Sequence, residues 1–247
     1  MLAANVEVVV ARYNERLEWL LEKPFNEFQY TVYNKGPNDN FEKSNVTKII
    51  SLPNVGRCDH TFLYHIVQNY DNLANVTVFF PGSINMMNKK DNAVRILENI
   101  KKYRMGIFLG SYTNDVRVLF NNFTLDKYMC TSAENLSQNN ESYLLPSVIR
   151  PYGKWFKYHF GNIKVKYYCI CGILSISKHD ITRHDINRYK QLLRTVETHS
   201  NPEAGHYIER SWAAIFHPLL CSKVILHPRT FKTAQNIIHV LFSKFII

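Results

Sequence analysis

No run of apolar residues in this chain reaches the roughly 20 that a membrane-spanning helix needs. The first residues, MLAANVEVVVARYNE, also lack the basic stretch and long apolar segment of a secretory leader. A membrane span and an exported chain are therefore not expected. Cysteine is sparse: five, an odd number, scattered except for Cys169 and Cys171, with no Cys-x-x-Cys or His-x-x-x-His to supply a metal set. A reduced, cytoplasmic protein follows from that usage. Gly-x-Ser-x-Gly, His-Glu-x-x-His and the Walker sequence are missing too, which argues against common serine hydrolases, zinc proteases and nucleoside triphosphatases. With neither an internal repeat nor a linker-like stretch, residues 1–247 read as a single domain.

What is present is the composition of a folded globular protein: 46% hydrophobic residues, 15 Tyr and 15 Phe. The 30 Lys+Arg against 20 Asp+Glu leave a net charge of +10, a field that attracts anions. The densest basic groups, Lys101, Lys102 and Arg104 or Lys154, Lys157, Lys164 and Lys166, are short and interrupted by apolar residues. They read as solvated faces rather than a nucleic-acid arm, so nucleic acid is the disfavoured partner. Sequons at Asn45, Asn75, Asn122, Asn135 and Asn140 are what an asparagine-rich chain produces by chance. The asparagine, lysine and isoleucine usage suits an AT-rich genome such as that of a large virus, which would make the host cytoplasm the location.

Along the chain, VEVVVAR (6–12) reads as a buried strand, RLEWLLEK as a helix carrying Leu17, Leu20 and Leu21 on one face until Pro24, and FQYTVYNKG and VTKIISLP as further strands. NVGRCDHTFLYHIVQNYDNL follows with helical spacing, NVTVFFPGS as a strand, and DNAVRILENIKKYR as an amphipathic helix with Asp91 near its start. Signals weaken over 106–150, where SAENLSQNNES (132–142) reads as an exposed loop, a surface insertion more readily than a lid. KVKYYCICGILSISKHDI reads as one long or two short strands with Cys169 and Cys171 pointing into the core. NRYKQLLRTVE and EAGHYIERSWAAIF complete the pattern as helices, the second ended or kinked by Pro218. Alternation of this kind predicts an α/β layered fold with a mainly parallel sheet flanked by helices.

In such a fold ligands bind beyond the carboxyl ends of the strands. Those positions are Tyr13, Asn14 and Glu15, then Asn34 to Gly36, Asn54 to Arg57, and Pro81 to Asn85. A tyrosine can stack on a base, amides can bond its edge, and Lys35 and Arg57 suit phosphate oxygens. Gly56 before a helix start offers backbone N–H groups beside Arg57. Asp180 and Asp185 form a second acidic pair, with Asp180 expected to cap the following helix or turn. His60, Tyr64 and His65 read as core or supporting groups.

The segments VVVARYNERLEWL, YNKG, NVGRCDHTFLYHIVQNYDNLANVTVFF, CGILSISKHDI, RYKQLL and HYIERSWAAIF together resemble the domain-of-unknown-function family numbered 3431, over roughly residues 6–217 in consistent order. That family is similar to glycosyltransferases of the GT-A type. The resemblance implies a GT-A-like, Rossmann-like domain that transfers a sugar from a nucleotide-sugar donor to a glycan or other hydroxyl acceptor. The donor would lie near Tyr13, Asn14, Glu15, Lys35, Arg57, His60 and Arg210. Two departures stand out: Gly56-Arg57-Cys58 where the family prefers Gly-Arg-Glu, with Asp59 one position later, and Pro81 where glutamine is more usual. No Asp-x-Asp follows VTVFF, the place where many GT-A enzymes hold a divalent metal; a metal stays open as a cofactor, and a metal-independent enzyme is the consistent version.

GHYIERSW (205–212) carries the acid/base candidates. On a helix His206 and Arg210 share a stripe, while Trp212 lies about one turn from Ile208. In one reading the helix anchors the core through Trp212 and Phe216, with Glu209 in an ion pair. In the other Glu209 is the general base for an acceptor hydroxyl, with His206 or Arg210 tuning its pKa, which makes Glu209 and His206 the catalytic candidates. The rival to an enzyme is a non-catalytic α/β module holding nucleic acid or an acidic glycan through its charge.

Overall fold

A computed structural model describes residues 5–128, Ser132, Asn135 and 143–227. In chain order the regular elements are β1 (Val6–Arg12), β2 (Tyr30–Asn34), β3 (Val46–Ser51), α1 (Arg57–Gln68), β4 (Val76–Pro81), α2 (Met87–Tyr103), β5 (Gly106–Tyr112), α3 (Val116–Leu119), α4 (Tyr152–Phe160), β6 (Tyr167–Tyr168), β7 (Leu174–Ser177), α5 (Lys178–Thr182), α6 (Ile186–Arg194), α7 (Glu203–Ile215) and β8 (Ser222–Leu226).

The expected α/β architecture is present. Five strands form a sheet in the order β3-β2-β1-β4-β7. The first four are parallel, with Val10 opposite Val32 and Val8 opposite Val78, and β7 closes the edge antiparallel to β4. Parallel strands covered on both faces need apolar residues at every position, which is why VEVVVAR and VTVFFP show little alternation. Their side chains nevertheless separate by face. Val9 and Phe79 join Phe62, Trp155 and Trp212 in one core, while Val8, Val10 and Phe80 join Trp19, Ile96 and Ile107 in the other. Each such side chain, fully buried, contributes roughly 1.5–3 kcal/mol.

A second sheet of three strands, β6-β5-β8, abuts the first through side chains rather than a backbone ladder. The backbone N–H groups of Gly106 and Ile107 donate to Ser177 Oγ (3.0 Å) and Ser175 Oγ (3.2 Å), and Ser177 N donates to Ser222 Oγ (2.8 Å). A Cβ on Gly106 would stand 2.4 Å from the Ser177 nitrogen, so only glycine lets β5 approach this closely.

Several local expectations need correction. RLEWLLEK is a 3₁₀ turn over Glu18–Leu21 instead of a helix: Leu17 sits in the left-handed region (φ 57°) and Leu21 is exposed. Residues 106–112, weak in pattern, form the buried strand β5. Helix α2 begins at Met87, so Asp91 lies beyond its first turn. Cys171 is not in a strand; it has φ 129° and is only partly buried, whereas Cys169 is buried as expected. Asp180 caps nothing in its own helix: its buried carboxylate accepts from the backbone of Leu220 and Cys221, tying down the segment that enters β8. Asp185 is the residue that caps, accepting from Asn187 N at 2.7 Å. Most of the 132–142 loop lies outside the described residues.

Candidate functional site

From β1 the chain moves outward through β2 and β3, then returns through α1 to pair β4 on the other side of β1. The carboxyl ends of β1 and β4 are therefore the switch point of the sheet, where a crevice is forced open. A cavity of about 250 Å³ lies there. Its wall includes Tyr13 and Glu15 after β1, Lys35 after β2, Arg57 and Cys58 at the start of α1, Ser83 and Lys89 after β4, and Glu209 from α7.

The floor is built by buried polar groups that brace one another. Arg12, the last residue of β1, is 1% exposed; its guanidinium donates to Glu15 O, Asn34 Oδ1 and both oxygens of Asn38, so it ties the loops after β1 and β2 together. Glu15 Oε2 accepts from Tyr13 N (2.7 Å) and Asn14 N (3.1 Å), and Oε1 from Asn135 Nδ2 (2.7 Å). Gly82 makes room for that carboxylate, since a Cβ there would stand 2.7 Å from Glu15 Oε2.

Lys35 has a bracing role that the sequence did not reveal. Its ammonium donates to Val55 O and Arg57 O and clamps the turn that launches α1. Burial pushes its pKa down to about 7, with Cys58 and Asp59 opposing the shift and Arg57 adding to it. In its charged form two of its three N–H donors are used in the clamp, leaving one for the cavity. The clamped turn is strained: Gly56 and Arg57 both have left-handed backbones (φ 59° and 56°), which costs a non-glycine residue on the order of 1 kcal/mol. Contacts of the Arg57 side chain offset that cost. Its guanidinium lies 4.2 Å over the Tyr128 ring, bonds the Tyr128 hydroxyl at 3.0 Å, and reaches Asn201 Oδ1 at 3.4 Å.

Glu209 enters from the opposite wall. Oε1 accepts from Cys171 N at 2.8 Å, while Oε2 has a longer ionic contact, 3.7 Å, to Arg210 Nη1. The side chain is 21% exposed. Beneath it Asp59 is buried and bonded to Trp212 Nε1 at 3.0 Å, and burial together with the Glu209 charge raises its pKa. Cys58 is likewise held as a thiol, chiefly by burial and then by Asp59 and Glu209. Trp212 stacks on Phe216 at 5.5 Å, so the outer half of the helix anchors the core while Glu209 meets the cavity.

Of the residues singled out in the sequence, Tyr13, Glu15, Lys35, Arg57 and Glu209 come together around the cavity. The other four are absent from its wall. Asn14 adjoins it through its backbone. His60 is buried and stacks on Tyr64, its pKa driven down to about 3 by burial and by Lys35. His206 lies against Tyr128, with burial, Arg57 and Arg210 lowering it to about 2, so it is a neutral imidazole. Arg210 donates to His206 O and covers the Phe123 ring at 4.0 Å. The sequence assigned no role to Arg12, Lys89 or Asn201, and it placed Cys171, which lines the cavity, in the core. Lys89 Nζ reaches Ser83 Oγ at 2.8 Å, and its place in the first turn of α2 was obscured by the late start assigned to that helix.

Among the described residues no group of three or more His, Cys, Asp or Glu is arranged to hold a metal. The two carboxylates on the cavity wall, Glu15 and Glu209, accept hydrogen bonds from N–H groups at three of their four oxygens. No helix among the described residues is long and apolar enough to cross a membrane.

The family model described as protein of unknown function, DUF3431, matches residues 8–225. No curated protein matches the chain. Among solved structures, the crystal structure of mannose-1-phosphate geranyltransferase from Thermus thermophilus is similar at 10% identity, covering 90% of this chain and 74% of its own, with a TM-score of 0.32.

Proposed function

The chain belongs to the DUF3431 family, and from that premise we propose that it is a glycosyltransferase moving a sugar from a nucleotide-sugar donor to a hydroxyl acceptor. The observation that carries the reading is the meeting of Glu209, from α7, with Tyr13, Lys35 and Arg57 at the switch point of a parallel sheet. A cavity with cations on one side and a half-open carboxylate on the other suits a reaction that separates a diphosphate from a sugar.

Arg57, Lys89 and the free donor of Lys35 neutralise the diphosphate, and Tyr13 offers a face to the base. Glu209 Oε2 accepts the proton of the acceptor hydroxyl as its oxygen bonds the anomeric carbon and the carbon–phosphate-oxygen bond breaks, with the electron pair leaving on the diphosphate. The Cys171 N–H fixes the other carboxylate oxygen and so aims Oε2. No step passes through a metal.

The test is release of free nucleotide from UDP-, GDP-, CMP- and dTDP-sugars with and without mono- and oligosaccharide acceptors. Acceptor-dependent release from one nucleotide class, lost in Glu209→Gln, is expected. No release from any donor, together with salt-sensitive retention on an acidic glycan or nucleic acid, would replace the enzyme with a binding module.

A further inference from the structure

The strongest charge asymmetry lies outside the cavity. Between Glu141 and Asp180 the chain has no acidic residue, yet it carries Arg150, Lys154, Lys157, Lys164, Lys166 and Lys178. Four of these lysines, all exposed, lie on two stretches, α4 and 164–166, that both hydrogen-bond to the segment carrying α3. On α4, Trp155, Phe156 and Phe160 face the core, so Lys154, Lys157 and Tyr158, spaced three and four apart, form the exposed stripe. Farther on, Val165 is buried and its neighbours Lys164 and Lys166 are exposed, as alternation along an extended segment requires.

Segment 113–121 bonds to both stretches. Thr113 N and Val116 N donate to Lys166 O and Val165 O, both at 2.8 Å, and Gly153 N donates to Asn121 O at 3.0 Å. A Cβ on Gly153 would stand 2.3 Å from Asn121 Oδ1, so a glycine on α4 is what lets the end of α3 dock this closely. On this docked segment Val118 and Leu119, in α3, are 65% and 51% exposed, and Tyr158 on α4 is 72% exposed. Asp115 is the acid within this segment, and its carboxylate is engaged in capping α3 through Arg117 N.

We propose that this face is a peripheral membrane-docking surface for bilayers rich in anionic phospholipid. Lysines around exposed aliphatic and aromatic tips match a membrane interface in both respects: the headgroups carry the opposite charge, and the acyl boundary accepts Val118, Leu119 and Tyr158. A nucleic acid would satisfy the lysines alone and leave the aliphatic tips in water. The surface lies on the membrane instead of spanning it, and it stands independently of the chemistry in the cavity.

The experiment is co-sedimentation of the intact protein with vesicles of phosphatidylcholine alone and of phosphatidylcholine with phosphatidylserine, across a salt series. Binding is expected for the anionic vesicles, falling as salt rises. Lys154→Glu with Lys157→Glu should weaken it roughly thirtyfold or more, from about fivefold for each lysine removed near the surface. Val118→Ser with Leu119→Ser should weaken it severalfold at every salt concentration while leaving the melting temperature intact. Equal binding to neutral and anionic vesicles, no binding to either, or indifference to both pairs of substitutions would overturn the proposal. So would binding of single-stranded RNA that depends on the lysines while vesicles are ignored.

Discussion

Glu203 and Glu209 stand two turns apart on one helix in opposite surroundings. Glu203 is fully buried and saturated: Oε1 accepts from Leu125 N and the Tyr207 hydroxyl, Oε2 from Ser147 N, and Arg150 pairs with both oxygens. Glu209 has one oxygen fixed by a backbone N–H and the other held only by a 3.7 Å ionic contact at the edge of a cavity. The difference between them is one of acceptor capacity: a saturated carboxylate has no lone pair left to offer, whereas a general base must keep one. Glu209 has that spare capacity facing open space, which is what its proposed role requires.

The sharpest way to widen that contrast is Glu209→Gln. It keeps the Cys171 hydrogen bond within reach of the amide oxygen but removes the base, so sugar transfer should fall about 10²–10⁴-fold while the folded state changes by less than about 1 kcal/mol. Single-turnover transfer and urea unfolding read the two numbers. Glu203→Ala should do the reverse. Two backbone N–H groups and Arg150 lose their acceptor, and the urea midpoint should drop by an amount equivalent to about 3 kcal/mol. If the two variants behaved alike in both assays, the distinction between them would be broken.

Arg57→Ala probes the cationic side of the cavity. Loss of a charge-assisted contact to a diphosphate should weaken donor binding roughly ten- to a hundredfold, measured by calorimetry. Relief of the left-handed backbone strain is not expected, because alanine at that φ is strained too.

The pH dependence of stability turns on His206, which lies between the two glutamates on the helix, and on His60, which feels the charge of Lys35. Both are held neutral when folded, with pKa values near 2 and 3 chiefly because of burial, whereas in the unfolded chain each takes up a proton near 6.5. The unfolded state therefore binds more protons between those limits. Stability rises with pH across that window and is lost as pH falls below 6.5, by up to about 1.4 kcal/mol per pH unit for each histidine. Urea midpoints at pH 7, 6 and 5 check the sign.

Much of this arrangement was legible in the sequence. Continuous β-branched runs announced β1 and β4 because a strand buried on both faces must be apolar throughout, and the turn residues after them lie where a switch-point crevice lies. What was not legible depended on distant partners. Nothing local in GHYIERSW says that Glu209 meets Cys171 while Glu203, three residues before His206, meets Arg150. Residues 106–112 contain two glycines and gave a weak pattern, yet the hydroxyls of Ser175 and Ser177 capture their backbone. Lys35 looked like a phosphate ligand, and only the position of the carbonyls of Val55 and Arg57 discloses the clamp.

The most direct measurement is the thermal shift of wild-type protein, Glu209→Gln and Arg57→Ala against UDP-, GDP-, CMP- and dTDP-sugars, each with Mn²⁺ and with EDTA. A donor at about 100 times its Kd adds roughly 2.7 kcal/mol of stability, an unmistakable shift. One nucleotide class should stabilise the wild type and Glu209→Gln equally, in EDTA as well as in Mn²⁺, and Arg57→Ala much less. Flat curves for all donors, or a shift in the wild type that Glu209→Gln abolishes, would contradict the assignment of Arg57 to donor binding and Glu209 to proton transfer.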